Sequence, residues 1–439
     1  MNSRYGEMLS EINKMPVIDT HEHLPYAEDQ RDMNTDVLKE YLMQYMSSDV
    51  KSAGLSESAF QQVIDPTRPL RERWHVVEPY WEASRHTGYG RALDISARGI
   101  YGIDGVTGRT LQDLNEAFLR SLKPGHFRRV LKDLCGIRLS LLDAWTGRFE
   151  CDREFFRRVW QPQYYVFAED SAAKRITSLE NLYCTRVSCL DDWAQALDRE
   201  MGDARAAGAA ALKLCIAYFR SLRFEDVEYD TAKADFGSML RLWEASGRKD
   251  DAIFQFPRTV QDFMMHQVLR VAGERHMAVQ FHTGMFEGNG NTLTNGDPLL
   301  MTNLFLKHPE VRFDLFHIGY PFHAATSALC KMFPNVFIDM CWAHMISPAA
   351  SRQALSDYLD AVPYTKICAF GGDYGFVDGV YGHLALAREN VSRVLADKVE
   401  EGAFAFEHAL TIAHSLFYDN PVRIFGLTEH QAGASPAAE

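Results

Sequence analysis

The sequence has no long apolar run, no basic block and no C-x-x-C pair. No apolar segment approaches the roughly 20 residues that a membrane-spanning helix needs, and residues 1–16 lack the apolar core of a secretory signal. The eight cysteines show neither metal-binding nor redox spacing, which is typical of proteins kept in a reducing compartment. We therefore predict a cytoplasmic protein that is neither secreted nor inserted in a membrane.

Acidic residues outnumber basic residues, 59 to 46, which gives a formal net charge of -13. Because lysine and arginine form no cluster, this balance argues against a nucleic acid or an anionic membrane surface as a partner. We expect a small-molecule substrate and a homo-oligomer. The chain has 439 residues and 46% hydrophobic content, enough for one large barrel with an inserted cap.

Eight short apolar segments alternate with helix-length segments, a pattern typical of a parallel sheet with crossover helices. We predict strands at 16–23, 136–145, 163–170, 210–218, 277–284, 312–319, 335–341 and 366–373. The predicted fold is α/β, a (β/α)8 TIM barrel with a mostly helical insertion after strand 1, where roughly 110 residues intervene. Residues 1–24 would begin the barrel, 25–135 form the cap, 136–427 complete the barrel and 428–439 form a flexible tail.

Metal-binding side chains end four of these apolar segments. His21 and His23 occupy alternate positions and would point to the same side of strand 1, whereas His282, His317 and Asp373 end strands 5, 6 and 8. The carboxyl ends of parallel barrel strands lie on one face, so these residues should converge. Imidazole and carboxylate groups suit zinc, and a catalytic site keeps one position open for water. We predict a divalent metal site, with zinc or manganese.

Two further groups of residues are candidates near this site. Asp378 is the alternative to Asp373 in the same glycine-rich segment. The cap is rich in aromatic and basic residues, which either line the barrel mouth, where arginine could bind an anionic substrate, or form the cap's own core. These residues are Arg71, Arg73, Trp74, His75, Tyr80, Trp81, Arg85, His86, Tyr89, Arg91 and Tyr101.

The order of these residues resembles the metal-dependent amidohydrolase superfamily: HEH at strand 1, lysine at strand 4, histidine at strands 5 and 6, and aspartate at strand 8. The amidohydrolase-2 branch, related to the N-terminal domain of fungal FluG and plant nodulin-like glutamine synthetase fusions, is more similar. The segments of this sequence that resemble that branch are LKLCIAYFRSLRF, QFHTGMFEGNGN, NGDPLLMTNLFLKHPEVRFDLFHIGYPF, NVFIDMCW, GGDYGF and NPVRIFGL. The resemblance covers about residues 16–427 and is strongest over 205–427. No glutamine synthetase domain follows, so we expect a stand-alone relative.

The resemblance implies that His21, His23 and Asp373 bind the first metal ion and that His282 completes a mononuclear site. His317 is then either a second-metal ligand or a catalytic imidazole. Lys213 corresponds to the lysine that is carboxylated and bridges two metal ions in binuclear members, so its state decides between one and two ions. The alternative is that Lys213 only forms an ion pair.

The predicted activity is hydrolysis of a C–N amide bond in a small substrate that carries a carboxylate; the FluG-like resemblance adds a γ-glutamyl amide. A divalent metal lowers the pKa of its bound water to about 7. Asp373 would accept the proton from this water and pass it to the leaving group, and His317 would polarise the substrate carbonyl or stabilise the oxyanion. Tyr218 and Arg220, just beyond strand 4, are candidates for binding the substrate carboxylate.

Other functions remain open. The same branch includes single-metal aromatic acid decarboxylases and uronate isomerases. A decarboxylase would need an aromatic pocket, for which the candidates are Trp342, Phe286 and Phe322. An isomerase would need polar groups for sugar hydroxyls, for which the candidates are Asn289, Asn291 and Tyr374. A non-catalytic barrel that kept its fold is a further alternative; it would be expected to lack a ligand, and none of the expected positions is missing.

Overall fold

The computed structural model describes residues 3–428, and the predicted tail at 428–439 therefore lies outside the described residues except for its first position. Across the described chain, eight parallel strands pair in sequence order. They are β1 Val17–Glu22, β2 Ile137–Leu142, β3 Phe156–Trp160, β4 Ala211–Leu214, β5 Ala278–Phe281, β6 Phe313–Leu315, β7 Val336–Asp339 and β8 Ile367–Cys368. The predicted (β/α)8 barrel is confirmed.

Backbone hydrogen bonds join the last strand to the first. The amide of Thr20 donates to the carbonyl of Phe370 over 3.1 Å, and the amide of Asp373 donates to the carbonyl of His21 over 2.8 Å. The segment after β8 therefore lies beside β1 and brings Asp373 next to the two histidines of that strand. At the other end, Phe425 follows the C-terminal helix and packs with Ile18 in a cluster inside the barrel.

The predicted third strand is wrong. Residues 163–165 lie in a short 3-10 helix, Pro162–Tyr165, and residues 166–170 form a loop; the missing amide hydrogen of Pro162 suits the first turn of a helix. The strand is β3, seven residues earlier, with the sequence FRRVW. The strand was missed because an arginine at position 158 suggests a solvent-exposed segment. Arg158 is in fact buried, and its guanidinium donates to the carbonyl of Ala144 over 3.1 Å instead of reaching solvent.

Helices surround the barrel on the outside. The helix α1 Ser3–Ile12 precedes β1. Those after β3 are α8 Ala172–Tyr183, α9 Leu190–Ala206, α10 Tyr229–Ala245, α11 Arg258–Glu274, α12 Thr302–Lys307, α13 His323–Met332, α14 Ala343–Ile346, α15 Pro348–Ala361, α16 Val377–Glu400, α17 Phe406–His414 and α18 Asn420–Ile424. None of the helices in the described part of the chain is both long and apolar enough to cross a bilayer.

The segment between β1 and β2 is helical. It contains α2 Val37–Leu42, α3 Tyr45–Ser52, α4 Glu57–Val63, α5 Leu70–Ser84, α6 Gly88–Tyr101, α7 Leu111–Ser121 and a π-helical turn at Arg128–Leu134. Trp74 and Trp81 are buried in the core of this segment, and Arg73 forms an ion pair with Asp36. Tyr89 instead reaches the barrel mouth, where its ring stacks with that of Trp342 at 6.3 Å.

The cap and the barrel are joined chiefly where α6 packs on α16. Gly382 of α16 lies so close to α6 that a Cβ at this position would overlap the carbonyl of Ala92. The hydroxyl of Ser96, one turn further along α6, donates over 2.6 Å to the carbonyl of Asp378 at the start of α16. This close crossing fixes the cap above the strand ends.

Candidate metal centre

Five predicted ligand residues lie at the carboxyl ends of four strands. His21 is within β1 and His23 follows it directly, His282 follows β5 directly, and His317 lies two residues beyond β6. Asp373 lies five residues beyond β8, next to β1. His21, His23 and Asp373 each offer a ligand atom within 4.8 Å of the others. The convergence that the parallel topology predicts is thus present in the structure.

One ring nitrogen of His21 forms a hydrogen bond, and the other has no hydrogen-bond partner. Its Nδ1–H donates to Oε1 of Gln280 over 3.1 Å, while Gln280 donates through Nε2 to the backbone of Thr20. The other ring nitrogen, Nε2, is buried without a hydrogen-bond partner, 3.6 Å from Oδ2 of Asp143 and 3.8 Å from Oδ1 of Asp373. Such an orphaned lone pair is costly in a buried position unless a cation occupies the space before it.

His23 is oriented in the same way. Its Nδ1–H donates to the carbonyl of Asp143 over 2.8 Å, which directs Nε2 toward Oδ1 of Asp373 at 3.1 Å. Trp145 stacks on the imidazole with ring centroids 5.1 Å apart, and 69% of this tryptophan is exposed. One face of the indole thus packs on His23, while much of the Trp145 side chain is exposed to solvent at the barrel mouth.

His282 and His317 form a facing pair. The Nε2–H of His282 donates to the carbonyl of Met285 over 2.7 Å, and the Nδ1–H of His317 donates to the carbonyl of Cys341 over 2.9 Å. The remaining nitrogens, Nδ1 of His282 and Nε2 of His317, are 3.2 Å apart. With both rings neutral, two lone pairs face each other. This arrangement requires a shared proton or a cation nearby.

All four imidazoles therefore donate through one ring nitrogen to a neighbouring oxygen. The other nitrogens of His21, His23 and His317 face Asp373, at 3.8 Å, 3.1 Å and 4.0 Å, and that of His282 faces His317. Fixing the tautomer by a hydrogen bond from the other ring nitrogen is typical of metal-binding histidines. Together with one carboxylate, this donor set suits a borderline divalent cation such as zinc. The residues present fit a divalent metal ion. Its identity is not determined by the geometry.

The charges of the site also favour a cation. Burial alone would raise the pKa of Asp373, but His23, with His317 and His21, holds it well below its usual range. Burial opposes protonation of His23, yet the hydrogen bond and charge of Asp373 outweigh it and raise the pKa of His23 to about 9. Without metal, the pair is an imidazolium and a carboxylate. A cation that binds here releases the His23 proton.

Two other candidate ligands are less suited to metal binding. Lys213 is buried, and its Nζ lies 3.5 Å from the centre of the Phe316 ring, on the ring face. An ammonium group is attracted to this negative face, whereas the anionic carboxylated form would be repelled. Cys341 lies within reach of His317 and Asp373. Burial raises the pKa of its thiol well above the usual value, which disfavours the thiolate that binds metals.

Of the two predicted substrate-binding residues, Tyr218 lies next to the histidines and Arg220 does not. Tyr218 lies beside the site, with its ring 4.7 Å from that of His282, and its hydroxyl accepts from the amide of Glu287 over 2.9 Å. Arg220 is not brought to the cluster. Its guanidinium is buried, forms an ion pair with Asp262 at 2.8 Å and donates to Gln261 over 2.7 Å. The expected carboxylate partner of Arg220 is thus supplied by the protein itself.

The cap contributes directly to the position of Asp373. Its carbonyl accepts hydrogen bonds from the side-chain amide of Gln44, over 3.1 Å, and from the hydroxyl of Tyr45. The Tyr45 ring in turn stacks on Trp342 at 4.7 Å. The Asp373 backbone adopts the left-handed conformation, with φ 59°. These contacts hold the carboxylate ligand in a conformation that a non-glycine residue seldom adopts.

Three residues of the site are absent from the sequence predictions: Asp143, Trp145 and Gln280. Asp143 directly follows β2, and its carboxylate accepts two hydrogen bonds of 2.8 Å from Gln161. Its position could have been found by extending to strand 2 the rule that a carboxylate at a barrel strand end is functional. Nothing in the local sequence marks Gln280, because its role depends on contacts with β1, which is not adjacent to β5 in the sheet.

Asp378, the alternative ligand, lies elsewhere. It is buried at the start of α16, where Oδ1 accepts from Nε2 of His126 over 2.8 Å and Oδ2 accepts from the hydroxyl of Tyr101 over 2.7 Å. Both carboxylate oxygens are thus occupied by cap residues. Of the two aspartates considered, Asp373 is the one that the structure brings to the histidines.

Comparison with known proteins identifies the family. A family model described as Amidohydrolase matches residues 188–427, more than half of the chain. Protein fluG of Emericella nidulans is 25% identical over 184 residues, which cover 40% of this chain and only 21% of that relative. The chain therefore matches about a fifth of the length of this curated relative.

Solved structures with the same fold cover nearly the whole chain. A uronate isomerase from Thermotoga maritima aligns with a TM-score of 0.78 and 16% identity, over 97% of this chain and 98% of that one. A glucuronate isomerase from Caulobacter crescentus aligns with a TM-score of 0.76 and 17% identity, over 99% and 96%. At this identity the likeness establishes the fold alone. By its match over residues 188–427, the chain belongs to the amidohydrolase family.

Proposed function

We propose that this protein is a hydrolase that uses a single divalent cation, zinc in the first instance, to cleave a C–N bond of a small amide. The observation that carries the proposal is the outward hydrogen bonding of four imidazoles, which leaves the other nitrogens of His21, His23 and His317 facing Asp373 and that of His282 facing His317. A purely structural histidine cluster would not need an orphaned nitrogen such as Nε2 of His21.

His21, His23 and Asp373 would hold the cation, and the facing pair of His282 and His317 would complete its surroundings. A divalent metal bound here supplies a water of lowered pKa and polarises a carbonyl oxygen. The single ion is supported by Lys213, whose position on the Phe316 ring favours the ammonium form over the bridging carboxylated form.

Asp373 is placed to move a proton. One carboxylate oxygen, Oδ1, faces His21 and His23, whereas Oδ2 lies 4.0 Å from Nε2 of His317. The second oxygen is therefore available to accept a proton from the attacking water and to deliver it to the leaving amine. Its low pKa keeps the carboxylate ionised before the reaction, as a proton acceptor must be.

His317 is suited to accept rather than to donate. Its Nδ1–H is held by the carbonyl of Cys341, and burial lowers the pKa of the imidazole to about 4. At neutral pH the nitrogen that faces the site, Nε2, thus carries a lone pair. His317 would serve as a ligand or a proton acceptor, and the role of polarising the substrate carbonyl would pass to the cation.

Aromatic side chains dominate the walls around His282. The ring of Phe286 stacks on this imidazole at 5.4 Å, and those of Tyr218 and Trp342 lie at 4.7 Å and 6.4 Å. A γ-glutamyl amide remains the first substrate to test because of the likeness to Protein fluG. Tyr218 would contact the substrate, while Arg220, bound to Asp262, would not anchor its carboxylate.

The same walls favour a second candidate, a single-metal decarboxylase of aromatic acids, since a planar ring would pack between Phe286 and Trp342. The polar residues expected of a sugar isomerase are placed less favourably. Asn289 donates to the carbonyl of Ser48 over 3.2 Å and Asn291 to that of Glu287 over 2.9 Å. Isomerisation of uronates therefore ranks third, despite the common fold.

The test combines metal content with product analysis. Protein purified without a histidine tag is measured by plasma mass spectrometry, as wild type, Asp373→Asn and Lys213→Ala. The zinc-loaded protein is then offered γ-glutamyl and N-acyl amides, hydroxybenzoates and uronates, with released amine, carbon dioxide and ketose measured separately. About one metal per chain and amine release that Asp373→Asn abolishes are the expected results.

Other outcomes would redirect the proposal. Carbon dioxide or ketose without amine would replace hydrolysis by decarboxylation or isomerisation at the same centre. About two metals per chain, falling to one in Lys213→Ala, would contradict the single-ion site. Failure to bind zinc or manganese after metal is added back would contradict a metal-dependent enzyme altogether.

A further inference from the structure

A second cavity lies in the cap, apart from the metal centre. It has a volume of ≈ 500 Å³ and is formed by the ends of α6 and α7 and the loop that follows α7. Arg120, Lys123 and Arg129 line it, together with Tyr101 and His126. None of its lining residues belongs to the metal-binding cluster. Its size is within the range of about 300–1,000 Å³ typical of small-molecule sites.

The lining of this cavity is unusually positive for this protein. The chain carries a formal net charge of -13, yet none of the residues that line the cavity is acidic. Within residues 3–428, no carboxylate lies within ion-pair distance of Arg120 or Lys123. Most arginines nearby are paired, as Arg98 is with Asp104 at 3.0 Å. Two exposed cations beside one cavity thus lack a carboxylate partner among the described residues.

A buried polar group lies at the floor of the cavity. His126 is 4% exposed, and its Nε2 bonds to Asp378, which also accepts from Tyr101. The other ring nitrogen of His126, Nδ1, has no hydrogen-bond partner among the described residues. The Tyr101 and His126 rings are stacked, 6.3 Å apart and 15° from parallel. The floor therefore offers a flat aromatic surface and one free hydrogen-bonding atom.

Of the three basic residues that line the cavity, Arg129 is the one whose side chain has a hydrogen-bond partner among the described residues. Arg129 donates to the carbonyl of Ile100 over 2.6 Å and so satisfies the end of α6. The carboxylate of Glu28, which follows β1, accepts from the loop amides of Gly125 and Phe127 over 2.8 Å and 2.9 Å. Neither interaction engages Arg120 or Lys123, whose side chains form no hydrogen bond to any described residue.

We propose that this cavity is a binding site for a small organic anion that carries phosphate or carboxylate groups. Arg120 and Lys123 would bind the charged groups, with arginine giving the two-pronged recognition that phosphate and carboxylate share. Nδ1 of His126 would bond to the ligand, and the Tyr101 and His126 rings would pack against its carbon skeleton. This site is distinct from the substrate site proposed above and does not depend on that function.

The test measures binding to the zinc-loaded full chain by titration calorimetry at low ionic strength. Glycerol 3-phosphate and succinate are the probes, one for each anionic group. The variant Arg120→Gln with Lys123→Gln is compared with the control Arg98→Gln with Arg128→Gln. The control removes the same charge from two exposed cap arginines that are paired with Asp104 and Glu154 outside the cavity. A third variant, His126→Ala, tests the floor.

We expect at least one probe to bind at one site per chain. The cavity variant should weaken this binding about tenfold or more, whereas the control should change it less than about twofold. His126→Ala should also weaken it, while circular dichroism reports an unchanged fold. Preference for one probe identifies the anionic group. Equal losses in the cavity and control variants, or no binding of either probe, would overturn the proposal.

Discussion

Single side chains outside the candidate ligand set fix the orientation of the candidate ligands. Gln280 is the clearest case, because its Oε1 fixes the tautomer of His21 and its Nε2 is held by the backbone of Thr20. The barrel interior thus sets the chemical state of a ligand at the mouth. Asp143 acts similarly on His23 through its backbone carbonyl.

We predict that Gln280→Leu lowers the affinity for zinc about 10- to 100-fold, the usual effect of losing such a support. His21 would lose the acceptor of its Nδ1–H and with it the fixed direction of Nε2. The measurement is competition with a chelating dye. The control is Gln255→Leu, whose side-chain amide bonds to the backbone of Ala168 and Phe256, away from the histidines. Unchanged affinity in Gln280→Leu would show that the tautomer is fixed otherwise.

Glu40, in the cap, should make the stability of the protein depend on pH. Burial, chiefly, raises the pKa of this carboxyl to about 7, from an ordinary value of 4.5. Below pH 4.5 both the folded and the unfolded chain hold this proton. As the pH rises from 4.5 to 7 only the folded chain retains it, so the stability that this group contributes is progressively lost.

We therefore expect Glu40→Gln to raise the free energy of unfolding at pH 8 by about 1–2 kcal/mol, with little change near pH 4. Urea unfolding at both pH values measures this difference. Glu72→Gln, on an exposed position of α5, is the matched control and should leave the difference near zero. An equal gain at both pH values would point to a cause other than proton binding.

At the scale of helices and strands, close approach between cap and barrel depends on a single glycine. Gly382 lets α16 contact α6 at Ala92. We expect Gly382→Ala to destabilise the protein by about 1–3 kcal/mol, because the added methyl overlaps backbone that cannot move aside. Gly237→Ala in α10 should instead stabilise by about 0.5–1 kcal/mol, since its Cβ would meet only the tip of Arg241.

Thermal or urea unfolding of the two variants would reveal this difference in sign. A stabilising Gly382→Ala would mean that the helices can separate without cost. The activity of Gly382→Ala should also fall, because α16 begins at Val377, shortly after Asp373, and its displacement would shift that segment.

The elements also show what the sequence could and could not predict. Seven of the eight strands overlap their predicted ranges because each is a short, mostly apolar segment between helix-length segments, and four of them also end in a candidate ligand. β3 was missed because Arg157 and Arg158 look like surface residues, while the buried Arg158 bonds to backbone carbonyls. The segment predicted in its place, 163–170, begins in the 3-10 helix Pro162–Tyr165, which packs against α9.

For the whole molecule, the convergence of His21, His23 and Asp373 was predictable since parallel topology brings the strand ends together. Tyr218 also lies where its position after strand 4 predicted, beside His282. The ion pair of Arg220 was not predictable. Its partner Asp262 is on α11, and the sequence alone does not show which side chains of this helix reach the loop after strand 4. The contacts of the cap with Asp373 were likewise hidden, since they join residues about 330 positions apart.

Metal binding should be visible in the stability of the whole protein. A ligand that binds only the folded chain adds about 2.7 kcal/mol at a free concentration 100 times its dissociation constant. We expect chelation of the metal to lower the melting temperature of the wild type, and added zinc to restore it. Asp373→Asn should melt at one temperature with or without chelator. A chelator effect that persists in this variant would place the metal elsewhere.

The hydrogen bonds from Gln44 and Tyr45 to the Asp373 carbonyl have a consequence for how the enzyme acquires its metal. The backbone of Asp373 is held in place only when the cap has docked, so a metal ion bound at this centre would find its third ligand in position only then. Loading and release should therefore be gated by opening of the cap, so that exchange is slow even where affinity is moderate. Metal taken up during folding would be kept for the working life of the protein.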